Sequence, residues 1–265
     1  MVVADLHVHT TRSDGSLTLD ALPAAAADAG VEVVAVTDHD RLQPALDGAV
    51  TTRDGVTVVH GIELRVDAGE QRLDLLGYGV EPTDALRAEC ARIQRDRRER
   101  GRAIIDCVED RLGRSLPVEP RAGLGRPHIA RAIAEVSEYS VQGAFDDLIG
   151  DDCPCYVSRD VPGFERGREL LADACGLVGL AHPFRYPDTD AALARCGELD
   201  AVERWYPYDR PVDTDRLDAA IERHDLVPTG GSDAHDDRLG VAGLDGTAWA
   251  RVRGAVAGDG RPRSV

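Results

Sequence analysis

The sequence predicts an α/β fold assembled from repeated strand–helix units, and three observations carry that expectation. Short apolar runs alternate along the chain with longer segments of helical periodicity, as happens where each strand hands over to a helix. At 265 residues and 43% hydrophobic content, the chain can bury a real core, in one α/β barrel or in two smaller domains. Most of its eight histidines fall just after an expected strand, which is where a barrel of parallel strands gathers its chemistry.

Strands are expected at 2–6, 31–36, 56–59, 73–78, 177–181, 201–205 and 226–229, each a short apolar run bounded by polar or turn residues. Helices are expected at 18–29, with Ser16 as its N-cap, at 165–175, and at 215–224 leading into the last strand. Residues 84–112 read as one charged helix, dense in arginine at Arg95-Asp96-Arg97-Arg98-Glu99-Arg100. A solvated helix laced by i,i+4 ion pairs accounts for it better than a nucleic-acid contact. From there to about residue 160 no strand is apparent, so 84–160 reads as a helical insertion between barrel units 1–83 and 161–253. The Gly-, Arg- and Pro-rich segment 254–265 is expected to be a flexible tail.

Arginine and lysine number 31 against 48 acidic residues, a formal net charge of −17, and every one of those 31 cations is arginine. A lysine-free acidic chain suits concentrated salt, where self-repulsion is screened, and equally suits arginine-favouring codon usage. Either origin excludes an extended nucleic-acid surface while leaving room for a local phosphate pocket. No stretch approaches the roughly 20 apolar residues that span a bilayer, and the N-terminus lacks a basic start followed by an apolar run. A cytoplasmic protein without a membrane partner is therefore expected. The six cysteines are too few and scattered for a disulfide scaffold. Cys153-Pro154-Cys155 lacks the second pair of a zinc site, and most thiols are expected to be buried small hydrophobes.

The chemistry lies at the strand ends. Asp5-Leu6-His7-Val8-His9 closes the first expected strand and leads to Ser13-Asp14-Gly15; Thr37-Asp38-His39-Asp40 closes the second and Gly61-Ile62-Glu63 the third. Ala181-His182-Pro183 and Gly231-Ser232-Asp233-Ala234-His235 close two later ones. Strand side chains alternate, so the two imidazoles of His7-Val8-His9 share a side. Imidazoles combined with carboxylates suit zinc, manganese or iron, whereas magnesium prefers oxygen alone. A carboxylate such as Glu63 can bridge two ions, and two ions roughly 3.5–4 Å apart suit phosphoryl hydrolysis. One such histidine would mean little; five clusters repeating the same placement point to divalent metal.

These five motifs, in this order, resemble the polymerase-and-histidinol-phosphatase (PHP) superfamily. The segment Gly125-Arg126-Pro127-His128-Ile129-Ala130-Arg131 is similar to the insertion of its branch acting on nucleoside 3′,5′-bisphosphates and short RNA 5′-ends. Ala144-Phe145-Asp146 and Cys155-Tyr156-Val157 also look like that branch. The resemblance implies a distorted (β/α)7 barrel with the insertion as a cap. It also implies a phosphoesterase in which hydroxide bound to two or three ions (Mn, Fe or Zn) attacks a nucleotide or short-oligonucleotide phosphate. By the same resemblance His7, His9, Glu63 and Asp233 hold a first ion and Asp14, His39 and His235 a second, while Glu63 and His182 share a third. His7, His9, Glu63, Asp233 and His235 are then the catalytic residues. Arg126 and His128, beside a helix N-terminus, are expected to bind substrate phosphate. The sequence departs from the branch at Asp74, where a histidine is usual before Leu75-Leu76-Gly77-Tyr78, so a carboxylate is the expected third-site ligand. Asp38 and Asp40 are expected to orient imidazoles. A small-metabolite phosphatase, such as one for histidinol phosphate, an amidohydrolase, and a non-catalytic PHP scaffold are the rival readings.

Overall fold

The structure, a computed structural model, describes residues 1–257. Its strands are β1 (Ala4–Val8), β2 (Val33–Val36), β3 (Val50–Arg53), β4 (Val56–Asp67), β5 (Arg72–Tyr78), β6 (Leu177–Leu180), β7 (Ala201–Trp205) and β8 (Val227–Gly230). They form one sheet in the order β1-β2-β4-β5-β6-β7-β8, with β3 antiparallel on β4. The sheet curls until its ends meet. Val8 bridges Ala234 in parallel, and the His9 N–H donates to the Ala234 carbonyl at 2.9 Å. This is a mixed α/β fold with a curled, partly barrel-like sheet, in keeping with the expected distorted barrel. β1, β2 and β6 are buried along their whole length, as strands covered on both faces must be.

The sheet is not uniformly parallel, and the exception positions the chemistry. β4 runs parallel to β2 from Thr57 through His60, then from Gly61 to Asp67 pairs antiparallel with β5. Glu63 therefore sits inside a 12-residue strand and not at the end of a short one, correcting the expected boundary at 59. The cause is the pairing partner: β5 continues to supply hydrogen bonds after β2 has ended. β3 is not expected from the sequence, because its residues, Val-Thr-Thr-Arg, are half-exposed and carry no apolar run.

The helices are α1 (Leu22–Asp28), α2 (Asp84–Leu112), α3 (Arg126–Val136), α4 (Val141–Ala144), α5 (Phe164–Ala174), α6 (Thr189–Ala194), α7 (Thr214–His224) and α8 (Gly246–Val256). α1 starts four residues later than expected, because Pro23 favours the first turn and Ser16 caps nothing there. The Ser16 hydroxyl instead donates to the His235 carbonyl at 3.1 Å. α1 buries Leu22 and Ala26 among Val34, Val36 and Val58. α8 corrects the expected start of the tail at 254, since Asp245 caps it through the Ala248 N–H at 2.8 Å and Val252 and Val256 are buried. The rest of that expected tail, 258–265, lies outside the described residues.

Two compact units result, one of Met1–Ala88 with the chain from Val161 onward, the other of Glu89–Asp160. Within the second, Ile104, Val108, Leu124, Ile129, Ile133 and Leu148 form the core. Two expectations fail there. Cys107 and Cys155, 48 residues apart, form a disulfide, so these two are not free buried thiols. The arginine-rich stretch of α2 is not simply solvated, because Arg97 and Arg100 are buried and the Arg100 Nε–H donates to the Val157 carbonyl at 2.6 Å. Burial, with Arg126 and Arg97 nearby, pulls Arg100 down to about 10.

The closing seam of the sheet leaves no room for a side chain at Gly231, where a Cβ would lie 2.3 Å from the His7 nitrogen and 2.4 Å from its Cβ. Gly231→Ala is expected to destabilise the protein by about 1–3 kcal/mol through overpacking. Gly48→Ala, where nothing lies within 4 Å, is expected to change stability by less than ~0.5 kcal/mol. Urea unfolding checks both, and equal effects would contradict this view of the seam.

Candidate metal centre

His7 is the penultimate residue of β1 and His9 directly follows the strand, both fully buried with ring centroids 5.1 Å apart. Their shared face looks onto Glu63, which is also fully buried. Glu63 Oε2 lies 3.5 Å from His7 Nε2, 3.4 Å from His9 Nε2 and 2.7 Å from His39 Nδ1. Its Oε1 lies 3.0 Å from His182 Nε2. Four imidazoles thus converge on one carboxylate. Asp233 Oδ1 approaches His9 Nε2 at 3.0 Å and His7 Nε2 at 3.4 Å. Asp14 reaches His39 at 3.7 Å and His235 at 3.5 Å. Asp233, His182 and Asp40 hold left-handed backbone (φ of 51°, 26° and 53°), a conformation that costs non-glycine residues energy and concentrates at functional sites.

Three groups of side chains here could hold a cation: His9, Asp14, His39 and His235; His7, His9 and Glu63; and Glu63, Asp74 and His182. The donor chemistry fits a divalent ion in the first two. His7 Nε2, His9 Nε2, Asp14 Oδ1 and Glu63 Oε2 are buried and make no well-formed hydrogen bond, although ionisable partners stand 2.7–3.5 Å away. Buried polar atoms left orphaned in this way are what a cation would satisfy. The third group differs. Asp74 is already engaged by Arg65, whose Nε–H donates to Oδ1 at 2.7 Å while Nη2 binds Oδ2.

Several residues that hold this arrangement were not evident in the sequence. Glu203, fully buried on β7, accepts from His7 Nδ1 at 3.0 Å and from the His182 backbone N–H at 2.7 Å. It fixes His7 with Nε2 free toward the cluster, as an outer carboxylate does for a ligating imidazole. The sequence signal was an acid that directly follows the apolar pair Ala201-Val202 inside a short strand. Asp5 accepts from the Ser232 N–H and hydroxyl and from the Gly240 N–H, tying the last loop to β1. Tyr206 and Arg185 both donate to Asp233 Oδ2, at 2.8 and 2.9 Å. The expected role of Asp38 changes. Asp38 accepts from the Thr10 N–H and hydroxyl and the Ser13 hydroxyl, so it shapes the loop that presents Asp14 and does not orient an imidazole. Asp40 accepts from the Arg65 N–H at 3.0 Å. His60 accepts from the Gln43 N–H and, lowered to about 4 by burial and by Arg87, stays neutral.

Arg126 and His128 belong to the second unit. Arg126 opens α3, binds Asp151 at 2.8 Å and lies over the rings of Tyr156 and Phe145. His128 Nδ1 accepts from the Gly125 N–H at 3.1 Å, which closes the first turn of that helix.

Electrostatics in the cluster runs against burial. Burial opposes charge on His39, yet Glu63 and Asp14 raise it to about 9. Burial also opposes charge on His7 and His235, and again carboxylates prevail: Glu203, Asp233 and Glu63 raise His7, while Asp14 and Asp233 raise His235. Against the same penalty, His235 and His39 hold Asp14 low, and His7 and His9 hold Asp233 low. Below about pH 9 the metal-free His39 therefore carries a proton that a ligand must give up. Cation affinity is expected to rise between roughly pH 6.5 and 9 by ~10-fold per pH unit for each proton displaced. Calorimetric titration with Mn²⁺ across that range checks the slope, and a flat profile would contradict it.

A family model of the PHP domain matches residues 5–148. The chain is 31% identical over 253 residues to the phosphoribosyl 1,2-cyclic phosphate 1,2-diphosphodiesterase of Eggerthella lenta, covering 88% of this chain and 94% of that protein. It is 28% identical to the 5′-3′ exoribonuclease Rnm of Escherichia coli, covering 88% of this chain and 85% of that one. Identity to the 3′,5′-nucleoside bisphosphate phosphatase of Chromobacterium violaceum is 26%, covering 89% and 88%. Among solved structures, one from Bifidobacterium adolescentis, proposed to be a metal-dependent phosphoesterase, superposes with a TM-score of 0.78 at 24% identity, covering 96% of each chain. An amidohydrolase from Chromobacterium violaceum gives 0.76 at 22% identity, covering 95% of this chain and 96% of that one. These two likenesses speak for the fold. With the domain match spanning more than half the sequence and a relative at 31% identity along nearly its whole length, the chain belongs to the PHP family.

Proposed function

We propose that this protein is a phosphoesterase that hydrolyses phosphate esters on ribose, in nucleoside 3′,5′-bisphosphates or at the 5′-ends of short RNA, using two divalent ions. The observation that carries this reading is the convergence of four imidazoles and Asp233 around buried Glu63, with orphaned ligand atoms facing one another. The three curated relatives named above act, by their names, on phosphoribosyl, RNA and nucleoside-bisphosphate substrates, which supports a ribose-phosphate ester.

In this reading His7, His9, Glu63 and Asp233 hold one ion and Asp14, His39 and His235 the other, with manganese, iron or zinc suiting the mixed nitrogen and oxygen donors. Bound ions would supply positive charge against phosphoryl oxygens and lower the pKa of the attacking water. The protein's own part is positioning. Glu203 holds the His7 ring, Asp38 holds the loop of Asp14, and Tyr206 and Arg185 hold Asp233. Arg185 is more than half exposed, so its remaining N–H groups can meet an anionic substrate as well. His235 is the most exposed imidazole of the cluster, so the second ion would be held at the edge of the site nearest solvent. Arg126 and His128 are assigned to a substrate phosphate. Support comes from their neighbours Arg97 and Arg100, since grouped buried guanidiniums gain from an anion.

The test is a substrate panel with Mn²⁺: adenosine 3′,5′-bisphosphate, a 5′-phosphorylated RNA tetramer, histidinol phosphate and a cyclic phosphodiester of phosphoribose. Ribose esters are expected to turn over and histidinol phosphate is not. Glu203→Gln is expected to lower activity by ~10–100-fold, as loss of an outer partner does, and His9→Ala by more. Hydrolysis confined to histidinol phosphate, or untouched by His9→Ala, would contradict the assignment.

A further inference from the structure

We infer that the guanidinium of Arg65 takes the place of a cation in the group of Glu63, Asp74 and His182, so that the protein carries two divalent ions and not three. The inference rests on the two-ion reading above and concerns only this neighbouring group. All three residues are buried and their ligand atoms lie within 4.8 Å of one another, which by itself describes a cation site. The difference lies in what those atoms already do. Asp74 Oδ1 and Oδ2 both receive N–H groups from Arg65, in the fork geometry by which a guanidinium holds a carboxylate. His182 Nε2 and Glu63 Oε1 are paired with each other at 3.0 Å. In the other two groups the ligand atoms His7 Nε2, His9 Nε2, Glu63 Oε2 and Asp14 Oδ1 are approached by imidazoles and carboxylates, Glu63 Oε2 by His39 Nδ1 at 2.7 Å, and not by such a guanidinium fork.

The backbone makes this pairing hard to avoid. Arg65 and Asp74 stand directly opposite each other in the β4–β5 ladder, where cross-strand side chains on one face meet. Glu63, two residues before Arg65, points to the same face. The Arg65 N–H is itself held by Asp40 Oδ1 at 3.0 Å. A fixed positive charge is thus built into the hairpin beside Glu63. An incoming divalent ion would have to displace Arg65 from Asp74 and meet its charge at close range. A fixed arginine also cannot be lost to a chelator, so part of the positive field around Glu63 is permanent.

The experiment counts bound Mn²⁺ by electron paramagnetic resonance of the free ion, with the full chain and with Arg65→Met. The wild type is expected to saturate at two ions per chain and Arg65→Met at three, because Asp74 is then released to ligate. Circular dichroism checks folding, and Arg65→Met/Asp74→His, which leaves no unpaired buried carboxylate, serves if the single variant does not fold; it too is expected to bind three. Three ions on the wild type, or two on a folded variant, would overturn the inference while leaving the metal reading intact. Fewer than two on the wild type would overturn the metal reading itself, and this inference with it.

Discussion

Glu63 is a carboxylate with no access to water, and the rest of the centre is arranged around keeping it charged. Burial alone would push it toward its neutral form, yet His39, His7 and His182 hold it well below the usual carboxylate range. Removing such an anion's partners leaves a buried charge without compensation, which is among the costliest defects a fold can carry. The imidazoles are therefore not independent ornaments of separate strands. His39 and His7 supply counter-charge to this one buried group, and His182 adds a hydrogen bond to it. Cation and proton compete for the same donors, which couples metal binding to pH.

The geometry that brings this about is the change of partner along β4. As a barrel strand paired with β2, it delivers the chain to the mouth of the sheet. As the first arm of a hairpin with β5, it carries Glu63 and Arg65 onward on one face and sets Arg65 against Asp74. A purely parallel barrel would have ended the strand near His60 and left Glu63 on a loop. Rigid strand pairing holds a ligand more narrowly than a loop does, and the tight seam at Gly231 does the same for His7.

Much of the centre was legible in the sequence because ligands at strand ends leave local signatures. His7, His9, Asp14, His39, Glu63, His182, Asp233 and His235 all stood in short motifs, and the structure brings them all together. What was not legible depends on pairing across long separations. Nothing near Glu203 marks it as facing His7, which lies 196 residues away. Asp74 was visible as an odd residue, but its partner Arg65 follows only from the antiparallel register. The Cys107–Cys155 disulfide and the burial of Arg97 and Arg100 likewise need the packing of the second unit to be known. The expected strands gave the alternating architecture, while the length of β4 and the existence of β3 were set by neighbours and not by local apolarity.

The most direct test of the central claim is anomalous diffraction from a crystal of the protein soaked in Mn²⁺, recorded near the manganese edge. The account predicts one peak within bonding distance of His7, His9, Glu63 and Asp233, and a second beside Asp14, His39 and His235. Peaks elsewhere, or none at these residues under saturating Mn²⁺, would contradict it.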